Sequence, residues 1–193
     1  MNKIILASKN AGKTEEIQSL LGDQFQIVDL NHLNKVPEIN ETGRSFKENA
    51  QIKARAVAQA YPNNFVMAED TGLVIDALDG RPGIYSARYA GDHDDKANIQ
   101  KVLTELEGVP AEKRTAHFTT VIVLIGLAKE IVAQGHSQGL ILDHEEGKDG
   151  FGYDPIFFST ELHKTFGQAT TAEKNTVSHR ARALKDLISQ ITA

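Results

Sequence analysis

Ile4-Ile5-Leu6-Ala7-Ser8-Lys9-Asn10-Ala11-Gly12-Lys13-Thr14-Glu15-Glu16-Ile17-Gln18-Ser19-Leu20-Leu21 is the stretch on which the fold turns. Its first four residues form a short apolar run that suits a buried strand, and Ile17, Leu20 and Leu21 fall on one face of a helix. Asn10 is a natural N-cap for that helix. The polar turn Ser8 to Lys13 joins the two, so the chain opens with a strand, a loop and a helix.

The next segments extend this alternation. Ser45-Phe46-Lys47-Glu48 matches a capping box, with Ser45 as N-cap. Phe46, Ala50, Ala54, Val57 and Tyr61 follow at helical spacing until Pro62-Asn63-Asn64 ends the helix. Phe65 to Ala68 reads as a strand that runs out into Glu69-Asp70-Thr71-Gly72, with a second short strand from Leu73 to Ala77. Gly80-Arg81-Pro82-Gly83 is a loop, and Asp94 to Glu107 reads as a helix. Ala116 to Leu127 and Glu130 to Leu142 look like long strands joined at Ala128-Lys129 as a hairpin. Phe151 to Phe158 reads as an aromatic strand. A last helix is expected from Thr176 to Ile191, with Val177, Ala181, Leu184, Ile188 and Ile191 facing inward. Helices and strands alternate early and a hairpin comes late, which predicts an α/β fold: a mixed central sheet with helices packed around it.

At 193 residues the chain has room for one large domain or two lobes sharing a core. A net charge of −5, from 21 basic and 26 acidic side chains, gives no general attraction for nucleic acid or an anionic membrane. Bound phosphate must therefore meet local basic groups or a metal ion. With no cysteine, disulfides, thiolate zinc sites and cysteine nucleophiles are excluded. The apolar run at the N-terminus is too short for a secretory signal and no stretch is long enough to span a membrane, so a cytoplasmic location is the expectation.

Four places carry the residue types of a nucleotide site. The loop Ser8 to Lys13 leads into a helix N-terminus, where amides and a lysine make a phosphate cradle. It resembles a Walker A loop with Ala7 in place of the first glycine, and it reads equally as a capped helix with a solvated lysine. Glu41, with Glu69 and Asp70 at a strand end, offers hard oxygen ligands of the kind Mg²⁺ takes, or else solvated turn acids. Gly147 to Pro155 combines three glycines with Phe151 and Tyr153, on which a planar base would stack, and Asp154, which would accept from a ring N–H. The alternative there is a tight turn before core aromatics. Ser178-His179-Arg180, with Lys174 just upstream, sets cations at a helix start. The helix dipole disfavours them there unless an anion or an electron-rich base edge lies opposite. Lys53, on the helix that begins at Ser45, reads as a solvent-facing lysine in an alanine-rich neighbourhood.

Taken in order, these segments resemble the inosine triphosphate pyrophosphatase family, also called XTP/dITP diphosphatases. The resemblance runs through Ala7 to Lys13, Glu41-Thr42-Gly43, Phe46 to Ala54, Glu69 to Leu73, Gly80 to Tyr89, Gly150 to Phe157, and Glu173-Lys174 with Ser178-His179-Arg180. It covers nearly the whole chain. It implies a single domain over residues 1–193, with two lobes around a long sheet and a nucleotide cleft between them, usually a homodimer, and dependent on Mg²⁺. By this resemblance Asp70 is the catalytic acid-base carboxylate and Glu41, with Asp70, a magnesium ligand. Ser8, Lys9, Asn10, Ala11, Gly12, Lys13 and Lys53 contact phosphate, and Thr71 is a further substrate contact. Phe151, Gly152, Tyr153, Asp154, Lys174, His179 and Arg180 meet the base and sugar. The family's opening loop often reads Thr-Gly-Asn and its acidic pair Asp-Asp-Ser, where this chain has Ser8-Lys9-Asn10 and Glu69-Asp70-Thr71. The longer Glu69 leaves its role at the metal open.

The expected reaction is hydrolysis of ITP, dITP and XTP to the nucleoside monophosphate and pyrophosphate, by water attacking the α-phosphorus. Two rivals stand beside it. A P-loop NTPase would use Phe65 to Asp70 as its Walker B strand but leaves Gly150 to Asp154 and Lys174 to Arg180 unexplained. A nucleotide sensor would bind without turnover.

Overall fold

The computed structural model describes residues 2–92, 94–126 and 129–192. Its elements are β1 (Asn2–Leu6), α1 (Ala11–Leu21), β2 (Phe25–Asp29), α2 (Phe46–Ala60), β3 (Phe65–Ile75) and α3 (Asp95–Glu105). They continue with β4 (Thr115–Gly126), β5 (Lys129–Ile141), β6 (Phe157–Ser159), β7 (Lys164–Thr165), α4 (Thr171–Val177) and α5 (His179–Thr192). The strands form one sheet in the order β2-β1-β3-β4-β5-β6-β7. β1 runs parallel to β2 and to β3, each reached through a helix, as a parallel neighbour requires. β6 is antiparallel to both β5 and β7. The sheet is therefore mixed, as the sequence predicts.

The chain divides into two compact units. The first comprises Met1–Asp70, Thr120–Gly135 and Arg180–Ala193. Its strands alternate, residue by residue, between two apolar layers. Ile4, Leu6, Met67 and Ile122 pack with Ile17 and Leu21 of α1 and with Leu184 and Leu187 of α5. Ile5, Val66, Ala68 and Val121 pack with Ala50, Ala54 and Val57 of α2. A strand sends successive side chains to opposite faces, so strands covered by helices on both sides must be apolar at every position.

The second unit comprises Thr71–Thr119 and His136–His179. Its core gathers Leu73 and Ile75 of β3, Ile99 and Val102 of α3, and an aromatic group. In that group Phe157 lies 4.7 Å from Phe118 and 4.9 Å from Phe166, centroid to centroid. Among the described residues no helix is long and apolar enough to cross a membrane.

Several local expectations change. Glu69-Asp70-Thr71-Gly72 does not end a strand: β3 runs unbroken through it to Ile75. Paired acids before a glycine read as turn chemistry, but here both carboxylates are buried and answered by cations. Phe151 to Ile156 forms turns, and only Phe157–Ser159 is strand. The last helical stretch is two helices, broken at Ser178, whose ψ of 148° is extended. Ile188 and Ile191 are exposed, and Ala183, Leu184 and Leu187 form the buried stripe of α5. At Ser45 only half of the capping box forms: Ser45 accepts from the Glu48 amide, but Glu48 accepts from Arg44 rather than from Ser45. A complete box closes at Thr170 and Glu173 instead. Of the expected hairpin turn, Lys129 opens β5 and Ala128 lies outside the described residues.

Candidate active site

In the first unit, α2 brings Asn49 and Lys53 to one face, since residues four apart are neighbours on a helix. Both side chains are buried and both reach Asp70. Lys53 Nζ donates to Asp70 Oδ1 at 2.8 Å and to Glu41 Oε2 at 3.2 Å. Asn49 Nδ2 donates to Asp70 Oδ2 at 3.3 Å, and Asn49 Oδ1 accepts from the Gly43 amide at 2.9 Å. A Cβ on Gly43 would stand 2.6 Å from Asn49 Oδ1 and 2.8 Å from the Asn49 nitrogen, so only glycine lets the Glu41 loop come this close. Burial raises the pKa of Asp70, and the nearby Lys53 ammonium offsets only part of that effect.

Glu69 and Asp70 are consecutive in a strand, so they leave β3 on opposite faces. Asp70 turns toward α2. Glu69 turns toward α1 and α5, where Arg180 donates to it twice, Nε to Oε2 at 2.8 Å and Nη2 to Oε1 at 2.7 Å. Lys13 Nζ is 3.1 Å from the same Oε1. The third guanidinium nitrogen, Nη1, donates to Glu16 of α1. Burial would raise the Glu69 pKa, but Arg180 and Lys13 outweigh it and hold that carboxyl well below the usual range. Burial depresses the pKa of Lys13, with Glu69 opposing. Glu69 thus meets two cations, Lys13 and Arg180, on the face of β3 opposite to Asp70.

The loop from Ser8 to Lys13 is built from its own polar groups. Ser8 Oγ accepts from the Asn10 amide at 3.1 Å, and Asn10 Oδ1 accepts from the Lys13 amide at 3.1 Å, which caps α1 as expected. Lys9 and Ala11 are exposed and Gly12 is half-buried. The Lys9 carbonyl accepts from Asn31 Nδ2. Thr71, next after Asp70 in β3, is half-buried.

In the second unit, Asp154 Oδ2 accepts from Lys174 Nζ at 2.6 Å and from the Phe151 amide at 3.0 Å. Gly150 makes this possible: its φ is +76° and a Cβ there would lie 2.0 Å from the same Oδ2. Lys174 Nζ also sits 5.2 Å from the Phe151 ring centroid, within cation–π range. The Gly152 amide donates to Asp95 Oδ2 at 2.8 Å. Tyr153 is a core residue whose hydroxyl donates to the Ser86 carbonyl at 2.8 Å, whereas Phe151 is half-buried. His179 stacks on Phe118 with centroids 4.6 Å apart and planes 19° apart.

Lys174, His179 and Arg180 are therefore not open cations at a helix start. All three are buried, two on carboxylates and one on an aromatic ring. Sequence reasoning passed over Glu16, Asn49 and Asp95. Glu16 lies one turn beyond Lys13 on α1, and Asn49 is an amide in an otherwise alanine-rich helix. Those two spacings were the available signals. Asp95 had none.

Among the described residues no three His, Asp or Glu side chains form a ready metal cage. Glu41 and Asp70 nevertheless converge on one cation from a loop and a strand. Two carboxylates are a donor set that suits Mg²⁺, which takes its remaining ligands from phosphate oxygens and water.

The sequence profile of the Ham1 family matches residues 4–190. The chain is 49% identical over 189 residues to the dITP/XTP pyrophosphatase of Leuconostoc mesenteroides, covering 96% of this chain and 94% of that protein. It is 45% identical to the dITP/XTP pyrophosphatase of Bacillus subtilis, covering 100% of this chain and 98% of the relative. The solved structure of the Staphylococcus aureus Ham1 protein is similar with a TM-score of 0.86 at 38% identity, over 99% of this chain and 98% of that one. A HAM1 protein from Coxiella burnetii also gives 0.86, at 40% identity, over 100% and 99%.

Proposed function

The chain belongs to the Ham1 family, and from that premise we propose that it hydrolyses dITP, XTP and ITP to the nucleoside monophosphate and pyrophosphate, with Mg²⁺ as cofactor. The observation that carries this reading is the meeting of Glu41 and Asp70 on a single positive charge, 3.2 and 2.8 Å away. Two carboxylates brought together from a loop and a strand, one of them buried, make a place for positive charge.

Glu41 and Asp70 would hold the metal, which supplies charge neutralisation for the triphosphate and a lowered pKa for water. Asp70 accepts the proton of the attacking water at a carboxylate oxygen. Asn49 fixes the rotation of that carboxylate. Lys13, Lys53 and the amides of the Ser8 to Gly12 loop bind phosphate oxygens, with Thr71 a further contact. Glu69 keeps Lys13 and Arg180 in place.

The family resemblance assigns base recognition to Phe151, Asp154 and Lys174. Phe151 supplies a stacking face, and Lys174, with Asp154, offers donor and acceptor chemistry for the 6-keto edge. Gly152, Tyr153 and His179 brace that region. An amino group at the same ring position would set donor against donor, and unpaired buried donors reject such a base by about 10⁴-fold. Family membership also supports a homodimer. The cysteine-free sequence fits a cytoplasmic setting.

A panel of dITP, XTP, ITP, dATP and dGTP with Mg²⁺, scored separately for pyrophosphate and orthophosphate, tests this reading. Pyrophosphate from the first three is the expected outcome. Orthophosphate would favour a P-loop type of NTPase, and tight binding without turnover would favour a sensor.

A further inference from the structure

Glu41 and Asp70 both meet one nitrogen, at 3.2 and 2.8 Å, so their like charges lie close together. A cation is needed between them whether or not a metal is bound. In this structure it is the Lys53 ammonium, on a side chain only 10% exposed. Lysine is rarely buried, and fixing its four-carbon stem costs rotamer entropy. An ammonium is a monovalent point charge on a flexible arm, so a hard divalent cation outcompetes it for the same carboxylate oxygens. Asp70 would keep its orientation during such an exchange. Its second oxygen is held by Asn49, and Asn49 is itself held by the Gly43 amide.

We propose that Lys53 is a place-holding counter-ion: it neutralises Glu41 and Asp70 in the metal-free protein, and a divalent cation displaces it, releasing its ammonium to the triphosphate. This rests on the reading of Glu41 and Asp70 as the cation's ligands. Lys53 thereby links metal loading to phosphate binding. The positive charge that balances the two carboxylates becomes a substrate contact once a metal takes over that balance.

The test is Mg²⁺ binding to nucleotide-free protein, followed by isothermal titration calorimetry. Lys53→Met removes the competing charge and should bind Mg²⁺ about tenfold or more tighter than the wild type, because a unit charge so close to a carboxylate carries that much interaction. Lys53→Arg keeps the charge and should show no such gain. Equal or weaker binding by Lys53→Met overturns the proposal. The wild type gives a second readout that does not depend on that variant folding. The Lys53 ammonium NMR resonance, assigned by its loss in Lys53→Arg, should move on Mg²⁺ addition, and a resonance unmoved at saturation also overturns the proposal. Asp70→Asn separates the two layers. If it binds Mg²⁺ as well as the wild type, the ligand reading falls and takes the place-holder with it. If it loses Mg²⁺ while Lys53→Met shows no gain, the place-holder alone falls.

Discussion

Arg180 and Glu69, 111 residues apart in sequence, are joined by two hydrogen bonds of 2.8 and 2.7 Å, one to each carboxylate oxygen, with both side chains buried. This fork ties the start of α5 to the middle of β3, and Lys13 joins it from α1. A charge pair of this kind is weak support for net stability, but losing one member leaves the other buried and unpaired.

Glu69→Gln should therefore destabilise the protein by about 3–5 kcal/mol, read from urea unfolding. Any folded fraction should need no more Mg²⁺ for half-maximal activity than the wild type, because Glu69 faces away from the Glu41–Asp70 pair. A raised Mg²⁺ requirement would make Glu69 a metal ligand.

Asp70→Asn is expected to fold and to unfold at a higher temperature at pH 7. The folded-state pKa of Asp70 is raised by burial beyond what Lys53 recovers. The ionised form is then the less favoured one in the folded protein, and removing the charge removes that cost. Turnover should fall by roughly a hundredfold or more, as befits loss of a general base. A lowered melting temperature would show that the Lys53 contact, rather than burial, dominates at this position.

Phe151→Leu should raise the KM for dITP by about tenfold or more and leave kcat nearly unchanged, since base stacking is worth about 1–3 kcal/mol and acts on bound substrate and transition state alike. Steady-state kinetics checks this. An unchanged KM would remove Phe151 from the base site.

The Thr170–Glu173 capping box, which opens the helix carrying Lys174, should be acid-sensitive. The Lys164 contact first, and then the Thr170 amide and hydroxyl, lower the Glu173 pKa from 4.5 to about 2. A depressed folded-state pKa gives stability that is present above the unfolded value and is lost as pH falls through the folded one. Wild type should exceed Glu173→Gln in urea midpoint at pH 7, and the gap should close between about pH 4.5 and about pH 2. A gap that persists at pH 2 would mean that shape, not charge, makes the cap.

Much of this was legible in the sequence because local chemistry decided it. Asn10 and Ser45 marked the starts of α1 and α2 through their caps, and Ile4 to Ala7 read as a buried strand because both of its faces are covered. The acids at 69 and 70 misled for a physical reason. A buried carboxylate in mid-strand is tolerable only when cations meet it, and Lys13, Lys53 and Arg180 come from elements remote in sequence. The break at Ser178 was hidden by apolar spacing that continues unchanged across it. Inward placement of Ile188 and Ile191 failed because the buried stripe of α5 is set by Ala183, Leu184 and Leu187. Of the candidate site, the residue types were readable, but their pairing was not. Spacing along the chain says nothing about which face of β3 meets α2.

In the proposed reaction water, activated at Asp70, attacks the α-phosphorus of the nucleotide. Hydrolysis of dITP in water enriched in heavy oxygen, with mass analysis of both products, locates the bond that breaks. The expected result is label in the nucleoside monophosphate and none in pyrophosphate. Label in pyrophosphate, or release of labelled orthophosphate, would contradict it.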